Sequence, residues 1–382
     1  MDLPAVQRWL DQRQPLWAEM LEELVRIESP SGNASAIERC GEAVAGWGRR
    51  LLKPRRLELG SAQGVPHLIM RAGEGEAPGV VLLAHLDTVW ELGSFQPLFQ
   101  VSDGRASGPG VFDMKGGVVI AVAALAALGD AGAAIPQVTL LCTGDEEVGS
   151  AASRRLIEKE ASRSTAVLVL EAAFGKAVKV ARKGVGTYHL RMLGRAAHAG
   201  LEPELGVNAV VELAGLVSQV SSLARPELGT TVTPTVLQGG HRTNVVPAEA
   251  ELAVDVRFAT VAEAERVDHG IHHLRPEHGE ATLEVTGGAN RPPLEPGASA
   301  ALFKIATGVA ASLGWPPLQG TVVGGGSDGN FTAALGVPTL DGLGAVGGNA
   351  HAEGEWVSLS SLAARAALLA GCIETLGREV PR

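Results

Sequence analysis

The sequence predicts an α/β protein in which a smaller α+β module interrupts a larger layered domain. In the first half of the chain, short apolar runs with strand character alternate with helical segments, which is typical of a largely parallel sheet covered by helices. From about Gly184 the order becomes β-α-β-β-α-β, as in a ferredoxin-like sandwich, and after Pro292 the α/β pattern resumes. We therefore expect a discontinuous domain, 1–183 with 292–382, and an inserted domain, 184–291.

Periodicity defines the elements of the larger domain. Apolar residues at helical spacing predict a helix over Val6–Ile27 and a second over about 34–52. Strands are predicted at 67–70, 80–84, 138–142, 166–171 and 321–323, and further helices at 117–128, 151–160, 299–313 and 359–376. In such sheets, active-site groups gather at the carboxyl ends of the strands.

The inserted domain is predicted to hold strands at 187–193, 230–237, 250–258 and 281–286 and helices at 208–223 and 261–273. A histidine cluster falls on the second of these helices and on the loop after it; its members are His269, His272, His273 and His278. None of these residues follows a strand end, so we interpret the cluster as a solvated surface rather than a metal site.

Composition narrows the classes of function. The chain has 382 residues, 46% of them hydrophobic, which exceeds the usual size of one compact domain. Its formal charge of −10, without a long Lys/Arg run, gives no basic surface for nucleic acid. The apolar run 117–128 is too short to span a bilayer and predicts a core helix, so no membrane partner is expected.

The start of the chain and its cysteines bear on location. Residues 1–19 show no basic segment leading into an apolar stretch, so we expect no secretory signal and a cytoplasmic location. Cys40, Cys142 and Cys372 are widely spaced and form no Cys-x-x-Cys pair, which indicates buried or neutral free thiols.

Polar side chains follow several of the predicted strands. His85 and Asp87 come directly after the run 80–84, and side chains two apart on a strand point to the same side. Asp87 can therefore accept the second ring N–H of His85, as a residue behind a metal ligand would. Asp113 lies in a glycine-rich turn before the 117–128 helix, where a carboxylate can approach a metal closely.

Two further strands end in carboxylates. Asp145, Glu146 and Glu147 follow the run 138–142, and such crowding of negative charge is costly unless cations neutralise it. Glu171 ends another apolar strand, and His351 lies in a glycine-rich loop late in the chain. Each of these features alone is more often structural, so the prediction rests on their conjunction. Two histidines and three carboxylates form a ligand set that suits zinc.

An ordered set of motifs carries a family resemblance. The segments His85-Leu-Asp87-Thr-Val, Gly108-Pro-Gly-Val-Phe-Asp113-Met-Lys-Gly, Thr143-Gly-Asp-Glu-Glu-Val-Gly-Ser, Leu170-Glu171 and His351 resemble those of the M20 metallopeptidases of the glutamate carboxypeptidase type. The likeness runs over nearly the whole chain. It implies a zinc-peptidase catalytic domain of the phosphorylase/hydrolase-like α/β type, with the inserted domain as a lid and dimerisation domain.

The resemblance also implies roles for individual residues. His85, Asp113 and Glu171 would sit at one or other of two zinc ions, with Asp113 bridging both and with Glu147 and His351 at the second ion. Co²⁺ or Mn²⁺ could replace zinc. Glu146 would be the general base, and later the acid, with Asp87 behind His85.

In the inserted domain, Gly194-Arg-Ala-Ala-His198-Ala-Gly resembles the family loop whose histidine reaches the active site of a neighbouring subunit. His198, with Asn244 beside it, is the candidate to stabilise the oxyanion in a homodimer. Arg257 and Arg291 resemble the arginines that hold the substrate's carboxylate, for which a planar guanidinium is suited. The loop Gly324–Asn330 lacks the ending of a phosphate-binding loop and is interpreted as substrate-binding backbone.

The substrate is expected to be a small N-acyl amino acid or short peptide. In the family, Glu at the position of Glu171 goes with carboxypeptidases and N-deacylases. Release of C-terminal glutamate is the first expectation, and a general N-acyl-amino-acid deacylase (aminoacylase) is the alternative.

Two other classes of protein stay open on the sequence. Gly325-Gly-Ser327-Asp-Gly matches a serine nucleophile motif, and Asp341 and His351 follow it in the chain order of α/β-hydrolases. A serine hydrolase built on Ser327, Asp341 and His351 is therefore one alternative. The other is a binding protein that kept the M20 fold and lost turnover.

Overall fold

The computed structural model describes residues 1–73, 79–133 and 136–379. The chain divides into two compact units. The larger unit is Met1–Ala181 with Pro296–Val323 and Ser327–Arg382, and the inserted unit is Arg182–Glu295 with Gly324–Gly326. The inserted unit thus begins at Arg182 rather than 184 and ends at Glu295 rather than 291.

The secondary structure follows the chain in this order. The helices are α1 (Leu3–Asp11), α2 (Gln14–Arg26), α3 (Ala34–Leu51), α4 (Gly116–Asp130), α5 (Arg154–Ala161), α6 (Ala209–Ser222), α7 (Val261–His272), α8 (Pro296–Ser312), α9 (Gly329–Ala334) and α10 (Leu359–Glu379). The strands are β1 (Arg56–Ala62), β2 (Val65–Ala72), β3 (Gly79–His85), β4 (Gln100–Ser102), β5 (Arg105–Ser107), β6 (Val138–Thr143), β7 (Ser164–Val169), β8 (Val178–Arg182), β9 (Gly184–Leu193), β10 (Ala197–His198), β11 (Thr231–Gly239), β12 (Val245–Val246), β13 (Glu249–Phe258), β14 (Thr282–Arg291), β15 (Gly320–Val323), β16 (Thr339–Leu340), β17 (Gly347–Gly348) and β18 (Trp356–Ser358).

A six-stranded sheet in the order β1-β2-β6-β3-β7-β16 forms the centre of the larger unit. The pairs β3–β6, β3–β7 and β7–β16 are parallel, whereas β1–β2 and β2–β6 are antiparallel. The predicted largely parallel sheet is therefore mixed. Strand β1 was not predicted. It turns into β2 through Gln63 and Gly64, which both have positive φ, as a tight antiparallel hairpin requires.

Helix α4 forms the core of the larger unit, because it is buried along nearly its whole length. The helical turn Val111–Lys115 leads directly into α4, and together they form the span Val111–Asp130. This span and Leu359–Arg378 are each long and apolar enough to cross a membrane. The apolar helical span is thus longer than the predicted 117–128. Protein covers 94% and 78% of the two spans, which is typical of core helices.

The first predicted helix is two helices. The chain breaks at Gln12 and Arg13 between α1 and α2, where Pro15 lies in the first turn of α2. Proline has no N–H and favours the start of a helix over its interior, so it separates the two segments. Cys40, Cys142 and Cys372 are buried free thiols, as predicted.

The inserted unit has the predicted ferredoxin-like connectivity. Its sheet order is β11-β13-β9-β14, and each neighbouring pair is antiparallel. Alternate residues of β9 are buried, among them Tyr188, Leu190 and Met192, and they pack in one core with residues of α6 and α7. The rings of His269, on α7, and His273, just after its end, stack at 3.7 Å.

Candidate metal centre

Three parallel strand ends bring the site together. In β3 and β6, His85 is paired with Thr143, and Leu83 of β3 is paired with Val169 of β7. The carboxyl ends of these strands therefore meet at one edge of the sheet. The short helical turn Glu146–Val148 follows β6, Glu171 follows β7, and Asp113 precedes α4. The loop between β17 and β18 carries His351.

Two clusters of ligand-type atoms share Asp113. One comprises His85, Asp113 and Glu171, and the other comprises Asp113, Glu147 and His351; in each cluster these atoms lie within 4.8 Å of one another. His85 Nε2 is 3.3 Å from Asp113 Oδ1 and 3.5 Å from Glu171 Oε1. His351 Nε2 is 3.3 Å from Asp113 Oδ2 and 3.1 Å from Glu147 Oε2.

These spacings fit a metal ion. A tetrahedral zinc ion with ligands at about 2.0–2.2 Å separates the ligand atoms by about 3.3–3.6 Å. A further observation agrees with an ion at the second cluster. Glu147 Oε1 is buried and has no hydrogen-bond partner in the described part of the chain. A buried carboxylate oxygen without a partner is costly, and a cation would satisfy it.

The electrostatics of the two clusters are strongly coupled. Hydrogen bonds with Asp113 and Glu147 raise the pKa of His351 to about 10. Burial lowers the pKa of His85, but the carboxylates of Asp113, Asp87 and Glu171 outweigh burial and raise it well above 6.5. Burial raises the pKa of Glu147. In the protein alone, the two imidazoles thus supply positive charge to the carboxylates, and a bound cation would replace those protons.

Asp87 connects His85 to the turn that carries Glu146. The ring Nδ1 of His85 donates to the backbone oxygen of Asp87 at 3.0 Å and lies 3.4 Å from its Oδ1. This contact leaves Nε2 to face Asp113. The buried Asp87 carboxylate accepts the N–H groups of Glu146 and Glu147, both at 3.2 Å, and the Ser31 hydroxyl at 2.7 Å.

Asp145 does not join the crowded carboxylates. Its side chain accepts hydrogen bonds from the Ala152 N–H at 2.8 Å and the Ser153 N–H at 3.3 Å, and also from the Ser153 hydroxyl. It therefore anchors the chain at the start of α5. The negative charge that faces the clusters from this turn comes from Glu147.

Two residues near the clusters were not predicted from the sequence. Lys179 Nζ lies 3.8 Å from Glu171 Oε2. Glu355 is fully buried, and its Oε1 accepts the N–H of Asp113 at 3.0 Å. The only signal for Glu355 was its place four residues after His351, and Lys179 lies on a short strand that was not predicted.

The other predicted site residues belong to the inserted unit. His198 is exposed, and its Nδ1 accepts the N–H groups of Gly200 and Leu201, both at 3.1 Å. Asn244 is brought beside it, because its backbone oxygen accepts the Ala199 N–H at 3.0 Å.

The two predicted arginines differ in their surroundings. Arg257 forms a two-point ion pair with Asp255 at 2.9–3.0 Å and is partly exposed. Arg291 ends β14, is buried, and lies against Gly326. Neither arginine, nor His198, belongs to the metal-ligand clusters found in the described residues.

The serine hydrolase arrangement is wrong. Ser327 is fully buried, and its hydroxyl donates directly to Asp341 Oδ2 at 2.6 Å. In a catalytic triad the histidine stands between the serine and the acid. His351 instead faces Asp113 and Glu147. In the same loop, the Asp328 carboxylate accepts hydrogen bonds from the hydroxyls of Thr143 and Ser150.

Comparisons of sequence place the chain among known hydrolases. Residues 81–375 match the family described as Peptidase family M20/M25/M40. The chain is 30% identical over 381 residues to carboxypeptidase G2 of Pseudomonas sp. (strain RS-16), covering 95% of this chain and 90% of that protein. It is 29% identical over 363 residues to succinyl-diaminopimelate desuccinylase of Halorhodospira halophila, covering 85% and 88%.

Solved structures with a similar fold also include peptidases. The fold is similar to aminopeptidase PepT of Bacillus cereus, with a TM-score of 0.76, 20% identity and coverage of 95% of this chain and 98% of that one. It is also similar to the M20 family metallo-carboxypeptidase Sso-CP2 of Sulfolobus solfataricus, with a TM-score of 0.75, 16% identity and coverage of 95% and 99%. The chain therefore belongs to peptidase family M20/M25/M40 and is an enzyme, a metallopeptidase or amidohydrolase acting on peptides or acyl amino acids.

Proposed function

We propose that this enzyme holds two zinc ions and cleaves the amide bond of an N-acyl or peptidyl amino acid with a free carboxyl terminus, with C-terminal glutamate as the preferred product. One observation carries the proposal: two three-residue clusters of imidazole and carboxylate groups share the two oxygens of Asp113. Nitrogen and oxygen donors in this number suit zinc, with Co²⁺ or Mn²⁺ as substitutes.

The ligand residues divide between the two ions. His85, Asp113 and Glu171 would hold one ion, and Asp113, Glu147 and His351 the other. When bound, the ions supply Lewis acidity, which polarises the amide carbonyl and makes an attacking water more acidic. Because His85 donates its Nδ1–H to the backbone of Asp87, its Nε2 keeps a lone pair for the metal.

Glu146 is the proposed proton carrier. It neighbours the ligand Glu147 but belongs to neither cluster, and its N–H is held by Asp87 Oδ1 at 3.2 Å. Glu146 accepts a proton from the attacking water as the new C–O bond forms. It then gives that proton to the amide nitrogen as the C–N bond breaks, so the products are a carboxylic acid and an amine.

His198 is the proposed donor to the oxyanion of the reacting carbonyl. Its Nδ1 accepts two backbone N–H groups, so the neutral ring carries its proton on Nε2. An exposed ring N–H is a hydrogen-bond donor suited to a developing negative charge. We propose that this donor acts in a neighbouring subunit, which requires a homodimer formed through the inserted unit.

Recognition of the substrate's carboxylate is assigned to Arg291 and Arg257, with Asn244 beside His198. A guanidinium can bind a carboxylate through two parallel hydrogen bonds. The relative named carboxypeptidase G2 supports a substrate with a free carboxyl terminus. The cytoplasmic location stays a prediction.

A deacylase of other N-acyl amino acids is the second candidate. Several relatives carry the name succinyl-diaminopimelate desuccinylase, among them those of Halorhodospira halophila and Rhodospirillum centenum, at 29% and 30% identity. These names support an acyl group that itself bears a carboxylate. The non-catalytic alternative is set aside, because the chain belongs to a family of hydrolases.

A substrate screen separates these candidates. Protein stripped with a chelator and restored with zinc is assayed on N-acyl-glutamate, N-acyl-aspartate, N-acyl-aliphatic amino acids and N-succinyl amino acids. The proposal expects hydrolysis only after zinc is restored, with the highest kcat/KM for the glutamate series. A higher kcat/KM for the succinyl or aliphatic series would favour the deacylase. Turnover that survives complete metal removal would reject both.

A further inference from the structure

Glu355 is a buried carboxylate that the proposed reaction does not use. Its side chain is 0% exposed, and it follows His351 by four positions in the same loop. Its Oε1 accepts the backbone N–H groups of Phe112 and Asp113 at 2.8 and 3.0 Å. Its Oε2 accepts the Trp90 indole N–H at 2.7 Å and the Gly110 N–H at 3.1 Å. Four donors therefore converge on one side chain.

The backbone of Glu355 also forms hydrogen bonds, both with the chain segment before α4 and with the loop that carries His351. Its carbonyl oxygen accepts the Ser107 hydroxyl at 2.7 Å and the Gly108 N–H at 3.4 Å. Its own N–H donates to Ala352 in the His351 loop at 3.1 Å. Glu355 thus joins the chain segment 107–113 to the loop that carries His351, although 242 residues separate Glu355 from Asp113.

The segment before α4 needs acceptors from outside. Asp113 has extended rather than helical dihedral angles, φ −116° and ψ 94°, so its N–H is not part of the helical ladder. Gly110 is left-handed, with φ of 69°. Backbone N–H groups that are buried in such an irregular turn are costly unless they find a partner. The Glu355 carboxylate is that partner for three of them.

Burying a carboxylate completely is unfavourable in free energy, and an apolar residue of similar size would be less unfavourable in the same space. The four hydrogen bonds to the Glu355 carboxylate offset this penalty only while their donors keep the present positions. Asp113 and His351 belong to the two segments that Glu355 connects, and they lie 3.3 Å apart across the second cluster. A shift of either segment would therefore change the spacing of the ligand atoms.

We propose that Glu355 is a positioning residue for the metal centre, which fixes the Asp113 segment against the His351 loop so that the second cluster is preformed. The inference rests on the assignment of Asp113, Glu147 and His351 as metal ligands. Residues that orient metal ligands in this way typically contribute about 10–100-fold to metal affinity.

The test is a zinc titration of chelator-stripped, full-length protein against a chromophoric competing chelator. Glu355→Gln keeps the volume of the side chain but replaces one acceptor oxygen with an NH₂ group that must face N–H donors. We expect it to weaken the binding of one of the two zinc ions by about 10–100-fold. Glu160→Gln is the matched control, because Glu160 is buried in the same unit, pairs with Arg71 at 2.7 Å and belongs to neither cluster.

The outcomes are distinct. Both substitutions are expected to lower Tm, but only Glu355→Gln should change zinc affinity; unchanged affinity for both ions would overturn the proposal. If Glu355→Gln does not fold, Trp90→Phe removes one of the four donors, and the same titration should show a smaller loss for one ion, whereas wild-type affinity would overturn the inference. A wild-type protein that binds no zinc would instead reject the proposed function.

Discussion

At the scale of single residues, Asp113 presents one carboxylate oxygen to each of two imidazoles, at 3.3 Å from His85 Nε2 and 3.3 Å from His351 Nε2. The neighbouring imidazoles keep its pKa well below 3.8 despite complete burial. The carboxylate is therefore ionised at neutral pH. In the proposed two-zinc site, this shared carboxylate would couple the occupancy of the two positions.

Glu146→Gln tests the proton carrier. The amide keeps the size of the side chain and cannot accept the proton, so kcat should fall by about 100-fold or more. Zinc content, measured by plasma mass spectrometry, should stay at the wild-type value because Glu146 belongs to neither ligand cluster. Undiminished turnover with both ions bound would remove Glu146 from the mechanism.

Arg291→Ala tests the recognition of the substrate's carboxylate. If the guanidinium binds the substrate equally in the ground and transition states, KM should rise far more than kcat falls. Arg257→Ala is the comparison, because Arg257 already pairs with Asp255 in the structure and should change KM less. A KM for Arg291→Ala equal to that of the wild type would reject the assigned role.

At the scale of elements, the contact between α4 and the end of β7 sets the shape of the site. Gly117 lies in the first turn of α4, and a Cβ built on it would be 2.1 Å from the backbone oxygen of Leu170. Leu170 precedes Glu171 of the first cluster, and Asp113 precedes α4. The close approach that glycine allows therefore fixes Asp113 and Glu171, two residues of the first cluster, relative to each other.

Gly117→Ala should disturb this contact. The added methyl group forces α4 and the β7 end apart, which we expect to destabilise the larger unit by about 1–3 kcal/mol and to lower zinc affinity. Gly129→Ala, in the same helix with no atom within 4 Å of its added Cβ, should be neutral or stabilising by up to about 1 kcal/mol. Thermal unfolding followed by circular dichroism, with zinc titration, compares them. Equal Tm values for the two variants would contradict the steric argument.

An ion pair at the start of α7 should make the stability of the inserted unit depend on pH. Glu263 accepts hydrogen bonds from the Arg266 guanidinium and the Thr230 hydroxyl, both at 2.7 Å, and the bond from Arg266 chiefly lowers its pKa from 4.5 to about 2. A carboxyl group with a lowered pKa in the folded state adds stability above its unfolded pKa. That stability is lost as the pH falls through the folded pKa.

Glu263→Gln should therefore make the inserted unit less stable than in the wild type at pH 7. The difference in stability should shrink as the pH falls from about 4.5 to about 2. Hydrogen exchange of the α7 amides as a function of pH is the measurement. Glu265→Gln, at an exposed position of the same helix, is the control and should follow the wild type. A constant difference between Glu263→Gln and wild type over that range would show that the ion pair does not contribute.

At the scale of the whole molecule, the proposed homodimer would form through the inserted unit. The strand β11 lies at the edge of its sheet and exposes about half of Val236 and Leu237, and Val211 of α6 is 62% exposed. An open strand edge with apolar side chains is suited to pairing with a second copy.

Light scattering of the wild type should give the mass of a dimer. Val236→Lys with Leu237→Lys should give monomers and, because His198 is proposed to act in the neighbouring subunit, lower kcat. Leu228→Lys, at another exposed apolar position of the unit, should leave the dimer intact. A wild-type monomer with full turnover would remove both the dimer and the role of His198.

Sequence alone predicted most of the longer strands and helices, the insertion and the five residues that form the two clusters, because local patterns mark each of them. Strands β1 and β8 and the break between α1 and α2 were not predicted. His85 and Glu171 follow apolar strands, and Asp113 lies in a glycine-rich turn. The predictions that failed depend on tertiary contacts. Asp145 turns toward α5 through hydrogen bonds from Ala152 and Ser153, and Ser327 is buried against Asp341. Glu355 was missed because its partners are distant in the chain.

The two ends of the inserted unit lie side by side, since the N–H of Arg182 donates to the oxygen of Leu294 and the N–H of Leu294 donates to the oxygen of Arg182, both at 3.0 Å. A module whose ends meet can be acquired or discarded in one genetic event without rerouting the host polypeptide. Descendants of one ancestral gene could thus exchange this module while inheriting the same catalytic scaffold.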